Sequence, residues 1–353
     1  MKKVVIIGAF ANGYNLLQGQ TVKTKIIADE IEKKYGSKQV GRIDTYGTLN
    51  HIICLFKCVL AFFRYNNIIM MPGINGLKIF GPWLDLWNKI FHRRLHYIVI
   101  GGWLDNCLDD NPKLERALHN FYEIYVETQT MRTALQKRGF SNISILPNCK
   151  NLKILKKDDL NYTYAEPYRL VTFSRVTPLK GIEDISRIVT EINQENGRRV
   201  FELDIYGQVD VKDTDWFYKF SNNYHITEKT SFIKYKGFIP FDKSVEILSG
   251  YFSLIFPTRY YTEGIPGTII DAYAAGIPVI SAKWESFADV VDDGITGMGF
   301  EFENWEELKN LLLNIANNPK IVYHKKLACL KRAKDFLPYE VISQINLKET
   351  RNL

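Results

Sequence analysis

The sequence predicts an α/β protein with two doubly wound parallel sheets, and three observations support this prediction. Short apolar strands alternate with helical segments along the chain, which is typical of parallel sheets. The length of 353 residues corresponds to about two domains at roughly 150 residues each. A polar, irregular segment at 151–168 precedes a second alternating series and is expected to be the linker between the domains.

The first predicted domain, residues 1–150, begins with the apolar strand Lys3–Ile7. Its last helix, Gln129–Gly139, ends at a glycine, as helices commonly do. The remaining predicted helices are Gln20–Tyr35, Leu49–Phe63 and Asn75–His92. The remaining predicted strands are Ile68–Met71, His96–Ile100, Glu123–Val126 and Ile143–Leu146.

The second predicted domain, residues 169–337, begins with the strand Arg169–Phe173. Its helix Gly267–Ala275 is short because Gly276 and Pro278 follow it. The other predicted strands are Phe201–Tyr206, Phe232–Tyr235, Tyr251–Phe256 and Pro278–Ser281. The other predicted helices are Ile182–Gln194, Asp242–Leu248 and two segments near 304–317 and 319–335. A last helix, within 338–353, is expected to pack back on the first domain.

The composition excludes several classes of protein. The apolar content of 46% is sufficient for two buried cores and argues against disorder. The five cysteines are scattered and odd in number, so buried free thiols are expected rather than disulfides. The sequence shows neither a secretory signal nor a run of about 18 apolar residues, which predicts a cytoplasmic protein without a transmembrane helix.

Positive charge is concentrated in the first half of the chain. Residues 1–150 hold 20 Lys and Arg against 11 Asp and Glu, whereas the remainder holds 26 against 28. A basic half can face anionic lipid, a phosphorylated acceptor or nucleic acid, or be a solvated surface without a partner. Trp83, Trp87 and Phe91 on one helical face predict either an interfacial helix on anionic lipid or a core stripe. The acidic second half argues against a nucleic-acid-binding protein.

The segment Glu263–Asp271 indicates a nucleotide-sugar site. It places Glu263 on a loop, a glycine-rich entry at the start of a helix, and Asp271 about one turn inside that helix. Backbone N–H groups and the positive end of the dipole at a helix start attract phosphate, and carboxylates can accept hydrogen bonds from ribose or sugar hydroxyls beside it. An acidic helix terminus that merely complements its dipole explains Asp271 but not Glu263.

Two cations follow the predicted strand Arg169–Phe173. Arg175 offers a bidentate fork to phosphate, and Lys180 offers a point charge just before Gly181 and the next helix. Since they lie five residues apart across a loop, both can converge on one pyrophosphate. The six histidines show no spacing typical of a metal site.

With these motifs the chain resembles the retaining GT-B glycosyltransferases of family 4 (glycosyl transferases group 1), of the surface or capsular polysaccharide type. Glu263 and Asp271 match the hallmark of a Glu, seven residues and a second Glu, with Asp in place of the second Glu. Arg175, Lys180 and Gly181 match the family's strand, Arg, then Lys-Gly signature. The resemblance covers essentially the whole chain and is strongest in the second domain.

The resemblance implies a GT-B fold, in which two Rossmann-like domains face each other across a cleft, the first binding the acceptor and the second the donor. It implies catalytic roles for Glu263, near the donor sugar hydroxyls, and for Arg175 and Lys180, on the donor diphosphate. The implied nucleotide-sugar-binding residues are Asp271, near the ribose, and Gly264, Ile265, Gly267, Thr268, Gly207, Phe238, Ile239 and Gly19. A plain turn glycine is the alternative for Gly207.

The sequence departs from many relatives after the strand His96–Ile100, where those relatives carry a His aimed at the donor sugar. Here Gly101 and Gly102 are followed by Trp103 and, two residues later, Asp105. Trp103 could form an apolar wall for a sugar ring, and Asp105 could bind a hydroxyl. A core Trp and a helix-capping Asp are the alternatives.

The resemblance therefore implies a hexosyltransferase-type enzyme that moves a sugar from a nucleotide sugar, with UDP favoured, to a hydroxyl of a saccharide or lipid-linked oligosaccharide. Retention at the anomeric carbon is implied, and cations replace a metal, so no cofactor is expected. Capsule, O-antigen or exopolysaccharide synthesis at the inner face of a bacterial plasma membrane fits the basic first half. The alternatives are a sugar-nucleotide epimerase of the same architecture and a non-catalytic nucleotide-sugar-binding protein.

Overall fold

The chain forms two compact units in the computed structural model. The described residues are 1–11, 13, 19–47, 51–163, 165–228 and 230–347. Unit 1 comprises the described residues of Met1–Asn151, the segment Thr262–Gly267 and the residues from Phe336 to Leu347. Unit 2 comprises those of Leu152–Tyr261 and Thr268–Asp335.

The segment at 151–168, predicted as the linker, clusters with unit 2 from Leu152 onward. The Leu155 amide donates a hydrogen bond to the Ala274 carbonyl over 2.8 Å, and the Leu160 side chain is buried. Leu155 and Leu160 are two apolar residues among many polar ones, which explains why the composition of this segment indicated a linker.

Unit 1 is built on a six-stranded sheet in the order β2-β1-β3-β4-β5-β6, in which all described pairings are parallel. Its strands are β1 (Lys2–Gly8), β2 (Val40–Asp44), β3 (Tyr65–Met70), β4 (Arg94–Ile98), β5 (Glu123–Val126) and β6 (Ile143–Ile145). Strand β2 was not predicted, because it lies at an edge of the sheet and buries only Val40 and Ile43. An edge strand needs no continuous apolar run.

Helices cover both faces of this sheet. They are α1 (Gly19–Tyr35), α2 (His51–Arg64), α3 (Ile74–Phe91), α4 (Leu104–Asp109), α5 (Pro112–His119) and α6 (Gln129–Lys137). Alternate residues of β1 serve the two faces: Val4 and Ile6 pack in the cluster that holds α1, whereas Val5 and Ile7 pack in the cluster that holds α2 and α3. This is the double winding that the sequence predicted.

The aromatic stripe of α3 packs toward the core, as the core-stripe alternative predicted, and contact of this helix with a membrane stays a prediction. Trp87 and Phe91 pack against the unit 1 core, and the rings of Phe91 and Phe62 lie 5.3 Å apart. Trp83 donates its indole N–H to the Leu55 carbonyl of α2 over 3.4 Å. Aromatic residues at helical spacing are typical both of interfacial helices and of core stripes, and here they pack between α2 and α3.

Unit 2 repeats the pattern with a six-stranded sheet in the order β12-β11-β10-β7-β8-β9, again parallel in every described pairing. Its strands are β7 (Tyr168–Phe173), β8 (Phe201–Tyr206), β9 (Ile233–Gly237), β10 (Ser253–Phe256), β11 (Val279–Ala282) and β12 (Gly297–Phe300). Strand β12 was not predicted, because two of its four residues are glycines, which are depleted in strands.

The helices of unit 2 include one pair that was predicted as a single helix. They are α7 (Ile182–Glu195), α8 (Thr214–Asn223), α9 (Ser244–Leu248), α10 (Gly267–Ala274), α11 (Phe287–Val290), α12 (Trp305–Asn317), α13 (Lys320–Tyr323) and α14 (Lys326–Ala333). The predicted helix at 319–335 is thus divided into α13 and α14, with His324 and Lys325 between them.

The C-terminal helix, α15 (Pro338–Ile342), packs in unit 1 and is shorter than predicted. Val341, Ile342, Ile345 and Leu347 join the apolar cluster of β1 and α1. The five cysteines are buried and free. None of the helices in the described part of the chain combines the length and apolarity that crossing a bilayer requires.

Candidate functional site

The carboxyl edge of the unit 2 sheet collects several of the predicted site residues. Arg175 follows β7, Gly207 follows β8, and Phe238 and Ile239 follow β9. Because these strands are parallel, the four positions share one edge of the sheet. The chain runs outward from β7 to β8 and β9 and then returns to β10 on the other side of β7, so the topological switch point lies between β7 and β10. Doubly wound sheets bind their ligands at such a point.

Gly207 is required for the close approach of two loops at this edge. A Cβ atom there would lie 1.7 Å from the Ser174 carbonyl oxygen, and the backbone φ of Gly207 is 146°. The Gly207 amide donates to the Gly237 carbonyl over 3.0 Å, and its own carbonyl accepts from the Tyr235 hydroxyl over 2.8 Å. Only glycine lets the loops after β7 and β8 come together here, and a contact between Gly207 and the nucleotide stays a prediction.

Lys180 lies directly at the switch point. It ends a single 3₁₀ turn, Pro178–Lys180, in which the Leu179 amide donates to the Thr177 hydroxyl over 3.3 Å. The Lys180 ammonium lies 5.2 Å from the ring centroid of Phe256, the last residue of β10. A Cβ atom on Gly181 would lie 1.9 Å from the Pro257 carbonyl, so the Lys-Gly pair fixes the contact between the loop after β7 and the end of β10.

Arg175 is available for an anionic ligand at the same edge. Its side chain is 67% exposed, and its guanidinium lies 3.2 Å from a carboxylate oxygen of Asp210. An ion pair this exposed contributes about 0.2–1 kcal/mol. The guanidinium can therefore leave Asp210 for a phosphate at little cost.

A further cation, Arg259, was not identified from the sequence. It follows β10 and forms a two-pronged ion pair with Asp184, in the first turn of α7, with both N–O distances at 2.8 Å. These hydrogen bonds raise the pKa of Arg259 above its ordinary value. The Arg259 amide also donates to the Leu179 carbonyl over 2.9 Å. Arg259 therefore holds the turn that carries Lys180. Its position directly after a buried strand was the sequence signal that could have identified it.

The start of α10 carries the other unit 2 residues of the predicted site. The Thr268 hydroxyl is buried and has no hydrogen-bond partner among the described residues. Asp271 is 2% exposed, and one of its carboxylate oxygens accepts from the Ser244 hydroxyl over 3.0 Å. Thr268 thus has an unused donor at a helix start that favours anions, whereas Asp271 is already hydrogen-bonded within the unit.

The segment Thr262–Gly267, which carries Glu263, clusters with unit 1. The Ile265 amide donates to a Glu127 carboxylate oxygen over 2.8 Å, and the Ile265 carbonyl accepts from the Asn148 side chain over 2.9 Å. Both backbone polar groups of Ile265 therefore hold the segment in place, and a contact between Ile265 and the donor stays a prediction.

Glycines bring the neighbouring loop onto this segment. A Cβ atom on Gly264 would lie 2.2 Å from the nearer Glu127 carboxylate oxygen, and one on Gly102 would lie 2.4 Å from the Thr262 carbonyl. The predicted Gly101-Gly102 loop and the loop of Glu263 are thus in contact. A side chain at Gly102 would require the backbone to shift, and one at Gly264 would require the Glu127 carboxylate or the backbone to shift.

Glu127 is the residue of this region that sequence reasoning missed. Besides Ile265, its carboxylate accepts from the Gly101 amide over 3.3 Å and from the Lys23 ammonium over 2.6 Å. Lys23 is 2% exposed and also donates to the Val99 carbonyl over 3.3 Å. A carboxylate immediately after the predicted strand Glu123–Val126 was the signal that could have indicated it, because this is where ligands and their supports collect.

The remaining predicted residues of unit 1 have structural partners of their own or open surroundings. Trp103 packs against the core and donates its indole N–H to the Ile100 carbonyl over 2.8 Å. Asp105 forms an ion pair with Arg138 and does not cap a helix. Gly19 begins α1, and apart from its chain neighbours and its own helix backbone, none of the described residues places an atom within 4 Å of its ideal Cβ position. Sugar contacts by Trp103 and Asp105 stay a prediction.

The described residues contain no group of three or more His, Cys, Asp or Glu side chains that could hold a metal ion. Across these residues, the groups arranged for an anionic ligand are the two cations at the switch point and the start of α10. Such an arrangement can stabilise negative charge that develops on a departing phosphate.

A family model described as "Glycosyl transferases group 1" matches residues 158–334. No curated protein sequence matches the chain.

Several solved structures are similar over most of the chain. HepE of Anabaena, in complex with UDP and glucose, superposes with a TM-score of 0.72 at 14% identity and covers 98% of both chains. The lipopolysaccharide outer core galactosyltransferase WaaB, in its apo form, superposes with a TM-score of 0.67 at 14% identity and covers 97% of both chains. The pneumococcal O-GlcNAc transferase GtfA, in complex with UDP and GlcNAc, superposes with a TM-score of 0.64 at 16% identity. The match covers 82% of this chain and 58% of GtfA. At these identities the likeness shows the GT-B fold.

Proposed function

The chain belongs to the glycosyl transferases group 1 family and is a glycosyltransferase, and from this premise we propose that it transfers a sugar with retention from a nucleotide sugar to a saccharide hydroxyl. UDP is the proposed donor nucleotide. The structures of HepE and GtfA, two proteins of the same fold, contain UDP, which supports this choice.

The observation that carries the proposal is the position of Arg175 and Lys180 at the switch point of the unit 2 sheet. A sugar leaves a nucleotide sugar together with a diphosphate, on which negative charge builds up as the bond breaks. Fixed cations stabilise this charge in the transition state more than in the bound donor. The Thr268 hydroxyl and the N–H groups at the start of α10 would add hydrogen bonds, although Pro266 supplies no N–H.

The two carboxylates would bind the sugar and the ribose of the donor. Glu263 would accept hydrogen bonds from the sugar hydroxyls. Asp271 would accept from the ribose, and because it is buried beside Ser244, this contact requires the ribose to reach into the helix start. Gly207, Phe238 and Ile239, at the ends of β8 and β9, would line the nucleotide.

We propose that departure of the diphosphate and attack of the acceptor hydroxyl occur on the same face of the sugar. The oxygen of the departing diphosphate takes the proton of the acceptor hydroxyl, which gives retention without a protein nucleophile. The cations would take the place of a metal ion in neutralising the leaving group. The acceptor would be a saccharide or lipid-linked oligosaccharide of a bacterial surface polysaccharide, used at the cytoplasmic face of the membrane.

The test begins with thermal unfolding of the full chain in the presence of UDP, GDP, ADP or dTDP. The nucleotide that stabilises most is then offered as a series of nucleotide sugars, and release of the nucleoside diphosphate is measured with and without saccharide acceptors. Transfer with an unchanged anomeric configuration, read by NMR, supports the proposal. Conversion of the donor into an epimer, or saturable binding without turnover, overturns it in favour of an epimerase or a binding protein.

A further inference from the structure

Lys150 lies shortly after strand β6, in a stretch of chain that unit 1 holds firmly. The Lys150 amide donates to the Phe336 carbonyl over 3.1 Å, and the preceding Cys149 is 1% exposed in the cluster of β1 and α1. The Asn148 side chain donates to the Ile265 carbonyl over 2.9 Å. The backbone of Lys150 is therefore fixed, and its half-buried side chain extends from a defined position.

The Lys150 side chain reaches the first residue of helix α10. A Cβ atom on Gly267 would lie 3.5 Å from the Lys150 Cδ atom and 3.9 Å from its Nζ atom. Gly267 and Lys150 both cluster with unit 1, so this contact lies within one unit. The ammonium is thus placed at the amino-terminal end of an eight-residue helix, where the first backbone N–H groups have no partner inside the helix.

A lysine at this end of a helix opposes the helix dipole. The N-terminus of a helix carries roughly half a positive elementary charge, so acids stabilise it and a cation beside it is disfavoured. The first turn of α10 contains no acid. The ammonium of Lys150 and the positive end of α10 therefore repel each other, and both attract an anion that binds between them.

The residue after Gly267 gives a second, independent indication of a ligand. The Thr268 hydroxyl is buried and has no hydrogen-bond partner among the described residues. Buried polar groups are almost always hydrogen-bonded, so a hydroxyl of this kind is typical of a position that a ligand or water completes. A phosphate oxygen can accept from a hydroxyl, a backbone N–H and an ammonium alike, whereas a metal cation would be repelled. The chemistry at the start of α10 therefore favours a phosphate group.

We infer that Lys150 is a further cation for the donor diphosphate and binds a phosphate oxygen together with the backbone at the start of α10. The inference rests on the proposed function, in which the start of α10 faces the diphosphate of a nucleotide sugar. Negative charge on the diphosphate grows as the bond to the sugar breaks. Lys150 therefore stabilises the transition state more than it stabilises the bound donor.

The variant Lys150→Met tests the inference, because methionine keeps an unbranched apolar stem against Gly267 but removes the charge. Its turnover, measured as nucleoside diphosphate release from a nucleotide sugar, is expected to fall by about 10²-fold, the cost of losing one preorganised transition-state contact. Lys150→Arg keeps a cation at this position and is expected to recover most of the lost turnover. Lys153→Met removes an exposed cation three residues further along the chain, and this matched control is expected to turn over as the wild type does.

Ligand binding separates a phosphate contact from a purely structural role. The full chain and each variant are titrated calorimetrically with inorganic pyrophosphate, UDP and uridine. In Lys150→Met the affinities for pyrophosphate and UDP are expected to fall by about tenfold or more, the effect of losing a hydrogen bond to a charged group. The affinity for uridine, which has no phosphate, is expected to stay unchanged. The thermal unfolding midpoint of each variant confirms that it is folded.

Two results would overturn the inference. Lys150→Met could keep the turnover of the wild type together with its affinities for pyrophosphate and UDP. It could also lose turnover while its affinities for the three ligands fall equally or stay unchanged, which would indicate a structural role. The proposed function fails in a different way, if Lys150→Met weakens the binding of pyrophosphate as expected but the wild type turns over no nucleotide sugar, and the phosphate contact of Lys150 is then still supported.

Discussion

Lys23 and Glu127 form a buried ion pair in unit 1, with 2.6 Å between the ammonium nitrogen and a carboxylate oxygen and side-chain exposures of 2% and 3%. The same carboxylate accepts from the amides of Gly101 and Ile265. A single side chain at the end of β5 therefore ties helix α1, the loop after β4 and the segment that carries Glu263. Such a buried pair stabilises a fold only while both partners are present.

Replacing one partner of this pair should destabilise the protein strongly. Glu127→Gln leaves the Lys23 charge buried without its counter-charge, and we expect a loss of about 3–5 kcal/mol in the free energy of unfolding, measured by urea denaturation. The double variant Lys23→Met with Glu127→Leu replaces both charges by apolar groups and should lose less free energy of unfolding than Glu127→Gln does. Lys283→Gln, which breaks a more exposed pair with Glu301, serves as the control and should change stability by less than about 1 kcal/mol. An equal loss in the single and double variants would contradict this account.

Adding one methyl group to Gly264 should impair turnover. The Cβ atom of Gly264→Ala would lie 2.2 Å from a Glu127 carboxylate oxygen, so either that carboxylate, which holds the Ile265 amide, or the segment that carries Glu263 must shift. A shift of about 1 Å near reacting groups can lower turnover by about 10²-fold, which nucleoside diphosphate release would measure. Gly250→Ala is the matched control, because its Cβ has no neighbour closer than 3.6 Å. Unchanged turnover in Gly264→Ala would show that the position of the segment is not critical.

The central strands were predictable because both their faces are buried, so they appear in the sequence as short continuous apolar runs. Strand β2, at an edge, and strand β12, with two glycines, lack that signal and were missed. The short helices α4, α5 and α8 were also missed, since a single short amphipathic stretch resembles a loop. Helix α3 was found, but the face it buries was not predictable, because apolar residues occur on both of its sides.

The cations of the site were predictable because their spacing follows a local rule, a strand end, an Arg and a Lys-Gly pair. The pairing of Lys23 with Glu127 was not predictable, since the two residues are 104 positions apart and nothing local couples them. Arg259 was missed for the same reason, because its partner Asp184 lies 75 positions away. Contacts between residues so far apart in the sequence can be identified only once the order of the strands in the sheet is known.

Removing either cation of the switch point should lower turnover. Arg175→Ala and Lys180→Ala are each expected to reduce nucleoside diphosphate release by about 10²-fold or more, because each removes a preorganised contact with the leaving diphosphate. Lys219→Ala removes an exposed cation of α8 and should leave the rate unchanged. Wild-type rates in both test variants would contradict the proposed mechanism.

Acidification should destabilise unit 1 through His96, which is fully buried in β4. Burial, with a smaller effect of the Arg94 charge, lowers the pKa of His96 from 6.5 to about 3. The unfolded chain takes up this proton below pH 6.5, whereas the folded chain resists it until about pH 3. The stability that neutral His96 preserves is thus fully present above pH 6.5 and is lost as the pH falls toward 3, by about 2 kcal/mol at pH 5. In urea denaturation, the free energy of unfolding of His96→Gln should fall less between pH 6.5 and pH 3 than that of the wild type, because the variant has no imidazole to protonate. His324→Gln, at an exposed position, should follow the wild type, and an identical pH dependence in His96→Gln would rule out a role for this imidazole.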